Sequence, residues 1–292
     1  MKRLLMPALF RVIHWSGRFY RDGGITILSY HSIDEHDTGI SVSPRLFEAQ
    51  MATLAEEGCP TFTMAQVAER MREGSPFPPR AVAITFDDAF ANVATLGAPV
   101  LRRYGLSATV YVITGMVGRS TTWTAYGAAL PSLPIMDWAQ IMELQALGFE
   151  IGAHTASHGF LTQLSQVELE RELCEPKSLL ERELGAPVVS FAYPQGDYDV
   201  RVVRAVRRAG YQTAVTVDQG RATSRSDPFR LPRVHVGANT TPAVLKGLTA
   251  PTVGPAYRVI NLVVRGLLGR RSWPRPDSRH IQSTGSVPLI EQ

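Results

Sequence analysis

Between residues 25 and 245, short apolar runs rich in β-branched residues alternate with longer stretches of helical period. That alternation is expected of a parallel sheet with crossover helices. The runs predict seven strands: Ile25 to Tyr30, Ala81 to Phe86, Ala108 to Ile113, Phe149 to Ala153, Val188 to Tyr193, Gln212 to Val217 and Leu231 to Val236. Helices are predicted over Pro44 to Glu57, Met64 to Glu73, Val93 to Tyr104, Asp137 to Leu147, Gln166 to Leu184 and Val200 to Ala209. Gly105, Gly148, Gly185 and Gly210 follow four of them, in keeping with C-terminal capping by a left-handed residue. The fold class is therefore α/β, with seven strand–helix units forming a barrel or near-barrel.

Two regions break the rhythm. Gly115 to Pro134 is long and rich in Thr, Gly and Pro, and it follows a strand at the end where barrel active-site loops grow, so it reads as a substrate-side loop. Past about residue 250 the periodicity stops, and the final SWPRPDSRHIQSTGSVPLIEQ is expected to be disordered. The expected organisation is a basic amphipathic extension over 1–24, one domain over 25–249, and a basic helix with a tail over 250–292. Lys2, Arg3, Arg11 and Arg18 at the front, and AYRVINLVVRGLLGRR near the end, could lie on an anionic membrane surface or pack on the domain itself. The apolar run Leu4 to Phe10 is short for a signal peptide, and spanning a bilayer takes about 20 apolar residues. A cytoplasmic location is expected, with peripheral contact at the inner membrane face left open by the basic ends.

Composition adds mainly exclusions. With 45% apolar and 19% charged residues, neither a disordered nor a fibrous chain is indicated. Thirty Lys+Arg against 26 Asp+Glu leave +4, dispersed along the chain, so no nucleic-acid partner is expected. Cys59 and Cys174 are isolated and read as free thiols.

Chemistry is concentrated where predicted strands end, the position of functional side chains in parallel barrels. His31 follows the first strand, Asp87 and Asp88 the second, His154 the fourth, and Tyr193, Pro194 and Gln195 close the fifth, while Arg233 and His235 lie on the seventh. Adjacent carboxylates after AVAITF resist joint ionisation near a core unless a cation compensates them. His154 and His158 in HTASH are four apart, so a helical turn would aim both imidazoles at one point. One carboxylate with two imidazoles is a ligand set of catalytic metal sites, and the second carboxylate is then free to act as a base on water. Alone, an Asp-Asp pair is usually a turn or a cap, and HxxxH is weaker than HExxH.

The stretches SYHSI, TFDDAFAN, GFEIGAHTASHGFLTQLS and FAYPQGDYD together resemble the motifs of the polysaccharide deacetylase family, carbohydrate esterase family four with its NodB-homology domain, over roughly residues 25 to 240. The resemblance implies a distorted (β/α)7 barrel and metal-assisted hydrolysis of acetyl groups, most often from N-acetylhexosamine units of a glycan. It implies Asp87 as general base, and Asp88, His154 and His158 as ligands of a divalent metal, Zn2+ first, with Co2+, Ni2+ or Mn2+ as alternatives. A backbone N–H after the fifth strand would stabilise the oxyanion, and His235, then His31, are the candidate proton donors. Where many members have RPPYG this chain has AYPQG, so Ala192 replaces the arginine that orients the base and Gln195 replaces the tyrosine. Arg233, from another strand, is the candidate to supply the missing guanidinium to Asp87. Asp137-Trp138 opens a helix and reads as a cap with a packing ring, whereas Trp123, Tyr126 and Trp138 could instead form a wall for sugar stacking.

The partner expected is an N-acetylated glycan or sugar intermediate. Other readings are a silent glycan-binding module, a membrane-surface module, or an O-deacetylase or deformylase of a lipid-linked sugar. The oligomeric state is left open by the sequence.

Overall fold

The computed structural model describes residues 23–36, 38–121, 124–125, 128–129 and 131–250. The expected extension at the N-terminus, the basic segment and tail after residue 250, and Trp123 and Tyr126 of the substrate-side loop lie outside these residues.

The strands in chain order are β1 (Gly24–Tyr30), β2 (Ser32–Ile33), β3 (Ser41–Val42), β4 (Ala81–Phe86), β5 (Ala108–Val112), β6 (Thr124–Ala125), β7 (Ala128–Ala129), β8 (Glu150–Ala153), β9 (Ser190–Ala192), β10 (Thr213–Gln219), β11 (Ala222–Thr223) and β12 (Leu231–His235). Seven of them close a parallel barrel in the order β1, β4, β5, β8, β9, β10, β12 and back to β1. β11 adds an antiparallel pairing at the start of β1, and β2–β3 and β6–β7 form two small ribbons outside the barrel. Each of the seven predicted strands is present. β9 is the most trimmed, because Val188 turns its backbone to the helix before it, its N–H donating to Glu181 and its carbonyl accepting from Lys177.

The helices are α1 (Pro44–Glu56), α2 (Met64–Arg72), α3 (Ala98–Arg103), α4 (Trp138–Ala146), α5 (Gln166–Leu184), α6 (Val200–Arg208) and α7 (Pro242–Leu248). Ser43, Thr63, Asp137, Ser165, Asp199 and Thr241 cap α1, α2, α4, α5, α6 and α7 with a side-chain oxygen on an exposed backbone N–H. Asp137 and Gln140 form a reciprocal capping box, so Asp137 serves α4. The helix expected from Val93 is split: one π turn, Val93–Gly97, precedes α3, with the Ala98 N–H on the Val93 carbonyl. Pro99 in the first turn of α3 has no N–H to extend regular α bonding backwards. α7 is too short for its period to be read in the sequence; its buried Leu245 and Leu248 lie against the domain, with Thr26 of β1 donating to the Leu248 carbonyl at 3.3 Å. Among the described residues no helix is long and apolar enough to cross a membrane.

Strand side chains alternate between faces, and one parity fills the barrel. Ile25, Ile27, Ala81, Ala83, Tyr111, Ala192, Val215 and Leu231 form a single apolar cluster, joined by Met64, Val67 and Met71 of α2 and by Phe77. Gly152 shares that interior, where an added Cβ would lie 2.6 Å from both Ser190 Oγ and the Tyr111 ring. At the N-terminal end of β8, Glu150 seats α2: the Ala65 N–H donates to it at 2.7 Å, Thr109 at 2.9 Å and Ser190 at 2.6 Å. A carboxylate at a helix N-terminus also suits the helix dipole. Apart from the Glu150 cluster, the filling at that end is apolar, and the remaining polar residues of the same parity collect at the other mouth.

Candidate metal centre

Counting in twos along β4 from Ala81 and Ala83 reaches Thr85 and then Asp87, so Asp87 inherits the interior direction. Simple alternation would turn Asp88 outward. Instead Asp88 and Ala89 have φ of 67° and 54°, and both carboxylates are buried at the barrel mouth. Non-glycine residues in that region carry about 1–3 kcal/mol of strain each, which surrounding contacts must offset.

The same parity on β12 runs from Leu231 to Arg233 to His235. Arg233, 1% exposed, is the bulkiest fully buried side chain among the described residues. Its guanidinium meets Asp87 with both oxygens, Nη1 to Oδ1 and Nη2 to Oδ2, each at 2.7 Å. Nε donates to the Thr216 carbonyl at 2.9 Å and Nη1 also to Thr85 Oγ1 at 3.1 Å, so the fork is fixed from three sides. Burial alone would raise the Asp87 pKa, but the Arg233 charge and its hydrogen bonds overcome that and hold the carboxyl well below its usual range. Arg233 thus supplies Asp87 with a guanidinium, while Ala192 belongs to the apolar filling.

His154 follows β8 on the interior parity, with its Nδ1 2.8 Å from the Ala192 carbonyl. A carbonyl only accepts, so Nδ1 carries hydrogen and Nε2 faces the site. The expected helical turn after β8 is absent. The chain between the histidines bends through left-handed Thr155 (φ 66°) and His158 (φ 61°), and this bend brings the rings to 5.0 Å between centroids. His154 Nε2 and His158 Nε2 are each 3.4 Å from Asp88 Oδ1. That oxygen is buried and has no hydrogen-bond partner.

These three side chains fit a divalent metal. Donor atoms around a tetrahedral ion with bonds of about 2.0–2.1 Å are separated by about 3.4 Å, and sets of two imidazoles with one carboxylate are found at such centres. One ligand atom from each of Asp88, His154 and His158 lies within 4.8 Å of the others. Burial lowers the His158 pKa to about 4, favouring the neutral, ligating form. For His154, burial opposes the charge but Asp88 and Asp87 outweigh it and raise the pKa, a pull that a cation would satisfy in place of a proton. The Ala192 carbonyl fixes one ligand's tautomer, a support that no side-chain motif advertises.

Beside the pair of carboxylates sit the two other histidines. His31 Nε2 is 3.8 Å from Asp87 Oδ2, and its buried Nδ1 has no hydrogen-bond partner. The His235 ring lies 5.9 Å from that of His31, and its Nε2 is 3.1 Å from the Gly39 carbonyl. Burial lowers both pKa values, that of His235 to about 4. The segment after β9 divides. The Tyr193 side chain is fully buried on the outer parity with its hydroxyl on the Phe229 carbonyl at 2.9 Å, so the expected substrate contact by this ring is corrected to a packing role. Pro194 is buried too, whereas Gln195 is exposed and left-handed (φ 55°).

Comparison with known proteins agrees with this geometry. The family model "Polysaccharide deacetylase" matches residues 74–214, which include Asp87, Asp88, both histidines of HTASH and the β9 segment. The Bacillus subtilis polysaccharide-deacetylase-type protein YxkH is 28% identical over 212 residues, 73% of this chain and 71% of that one. The poly-β-1,6-N-acetyl-D-glucosamine N-deacetylase of Staphylococcus aureus is 23% identical over 215 residues, 70% of this chain and 71% of that one. Among solved structures, the Streptococcus pyogenes deacetylase PplD in complex with acetate superposes with a TM-score of 0.69 at 26% identity, covering 78% of this chain and 99% of that one. Its closed seven-stranded parallel barrel, its matched segment and these relatives all make the chain similar to the polysaccharide deacetylase family.

Proposed function

We propose that this chain is a metal-dependent deacetylase acting on N-acetylhexosamine units of a glycan, of the kind named for its Staphylococcus aureus relative. The observation that carries this reading is Asp88 Oδ1, without a hydrogen-bond partner, equidistant from two imidazole nitrogens and next to a carboxylate clamped by an arginine. Asp88, His154 and His158 would hold a divalent cation, Zn2+ first by ligand type. Such an ion lowers the pKa of water and polarises an acyl carbonyl.

The protein's own groups supply the rest. Asp87 stays ionised because of Arg233 and takes a proton from the attacking water, while the fork fixes the orientation of its carboxylate. Proton delivery to the leaving nitrogen is assigned to His31, whose Nε2 lies 3.8 Å from the base, in preference to His235, whose Nε2 is engaged by Gly39. The oxyanion donor is assigned to the Gln195 N–H, since the Tyr193 N–H is bonded to the Val215 carbonyl at 3.2 Å and Pro194 has none.

The test is acetate release from poly-β-1,6-N-acetylglucosamine, chitin oligomers and nucleotide-linked N-acetyl sugars, using metal-stripped, zinc-reconstituted and Asp87→Asn protein. Release by the zinc form alone, lost in Asp87→Asn, is the expected result. Release by the stripped or the Asp87→Asn protein equal to that of the zinc form would refute the mechanism.

A further inference from the structure

We infer that Glu172 of α5 is a positioning residue for the metal centre: its carboxylate holds the turn that presents His154 and His158. The inference rests on the metal reading above and adds to it a residue outside the ligand set.

The three residues between the ligands, Thr155, Ala156 and Ser157, form no regular structure, and positive φ at Thr155 and His158 brackets them. A turn of this shape must find partners for its N–H groups outside itself. The N–H groups of Ala156 and Ser157 both donate to the same oxygen, Glu172 Oε2, at 2.9 and 3.0 Å. Successive N–H groups converging on one anion make a nest, the backbone's own anion-binding shape. The remaining N–H, of His158, donates to Thr155 Oγ1 at 3.0 Å. From the opposite side, Thr114 donates to the Thr155 carbonyl at 3.1 Å and Gly115 to the Ala156 carbonyl at 3.0 Å. Contact there is close enough that a Cβ on Gly115 would lie 2.5 Å from Ala156 O. The turn is therefore gripped between a glycine wall and one carboxylate. The wall consists of backbone atoms, so the carboxylate of Glu172 is a side chain outside the turn that substitution can remove without touching a ligand.

Glu175, one turn further along α5, offers the control. It is exposed and pairs with Arg171 at 2.9 Å. Zinc affinity would be measured on the full chain by competition with a fluorescent chelator, for wild type, Glu172→Ala, Glu172→Gln and Glu175→Ala, with thermal unfolding of each metal-free protein as the check on folding. Removing a group that orients a ligand typically weakens metal binding about 10–100-fold, the loss expected for Glu172→Ala. Glu172→Gln keeps an acceptor oxygen at the same reach and is expected to recover most of that affinity, while Glu175→Ala matches wild type. Should the alanine variant not fold, Glu172→Asp withdraws the oxygen by one methylene and carries the same expectation. Zinc affinity in Glu172→Ala, or in Glu172→Asp, within twofold of wild type overturns the inference. Failure of wild type to bind zinc would instead overturn the metal reading beneath it, so the two failures are distinguishable.

Discussion

Replacing Arg233 with Met removes the charge facing Asp87 while keeping most of the buried volume. Two hydrogen bonds of 2.7 Å to an ionised group are lost. Bonds of this kind contribute about 1.5–3 kcal/mol each. Their sum overlaps the loss of about 3–5 kcal/mol seen when one partner of a buried ion pair is removed. A destabilisation of about 3–5 kcal/mol at pH 7 is expected for Arg233→Met, read by urea denaturation of the metal-stripped protein. Much of it reflects the stranded carboxylate, so adding Asp87→Asn should return stability, with a coupling of up to about 3 kcal/mol across the double-mutant cycle. The dependence on pH has a definite sign. In the parent chain Asp87 is held below its ordinary value, so the contribution of the pair is present above the usual aspartate range and lost only as pH falls through the depressed value. In Arg233→Met the largest opposition to burial is gone and only His154 and His31 still favour the charge, so Asp87 rises from its depressed value and the deficit of the variant grows with rising pH. Additive effects within about 0.5 kcal/mol would refute this account of the pair.

Two further outcomes follow from the same geometry. His31→Asn is expected to lower kcat for acetate release by about 10²–10⁴-fold, the usual worth of a positioned acid, while His235→Asn should lower it far less; the reverse ranking would return the proton donor to His235. Glu150, raised from 4.5 by burial against the hydrogen bonds of Ser190, Ala65 and Thr109, binds more proton folded than unfolded. Its contribution is therefore fully present below its ordinary value and lost as pH rises through the folded one. Glu150→Gln should gain stability relative to the parent chain between about pH 4 and pH 7 in urea titrations, and a relative loss over that interval would contradict the assignment.

Much of the site could be read from strand parity before any coordinates. Once β4 and β12 are placed, Ala83, Thr85 and Asp87, and Leu231, Arg233 and His235, must face one side, and the placement of Arg233 against Asp87 follows from that alternation and from Ala192 lacking a charge. What resisted reading depends on backbone conformations that residue type disfavours. Nothing in Ala89 or in Thr155 announces a positive φ, and a β-branched threonine in particular is a poor left-handed residue whose conformation is imposed by tertiary contacts. The helical reading of HTASH therefore brings together the two side chains that the structure brings together, but through the wrong turn. Tyr193 failed for another reason: with the neighbouring Ala192 facing the interior, its ring had to face out, and parity applied to β9 would have said so. The partners of Glu172 are long-range and leave no local pattern.

Asp87 follows the second strand of the barrel and Arg233 lies on the last, 146 residues later, with β1 between their strands. During synthesis, then, both carboxylates of TFDD leave the ribosome long before their countercharge exists. Until residue 233 has emerged and β12 has docked on β1, the mouth of the barrel carries uncompensated negative charge that resists desolvation. On the metal reading proposed above, the complete centre is a late product of folding, and zinc uptake by a refolding chain would serve as a clock for closure of the final seam.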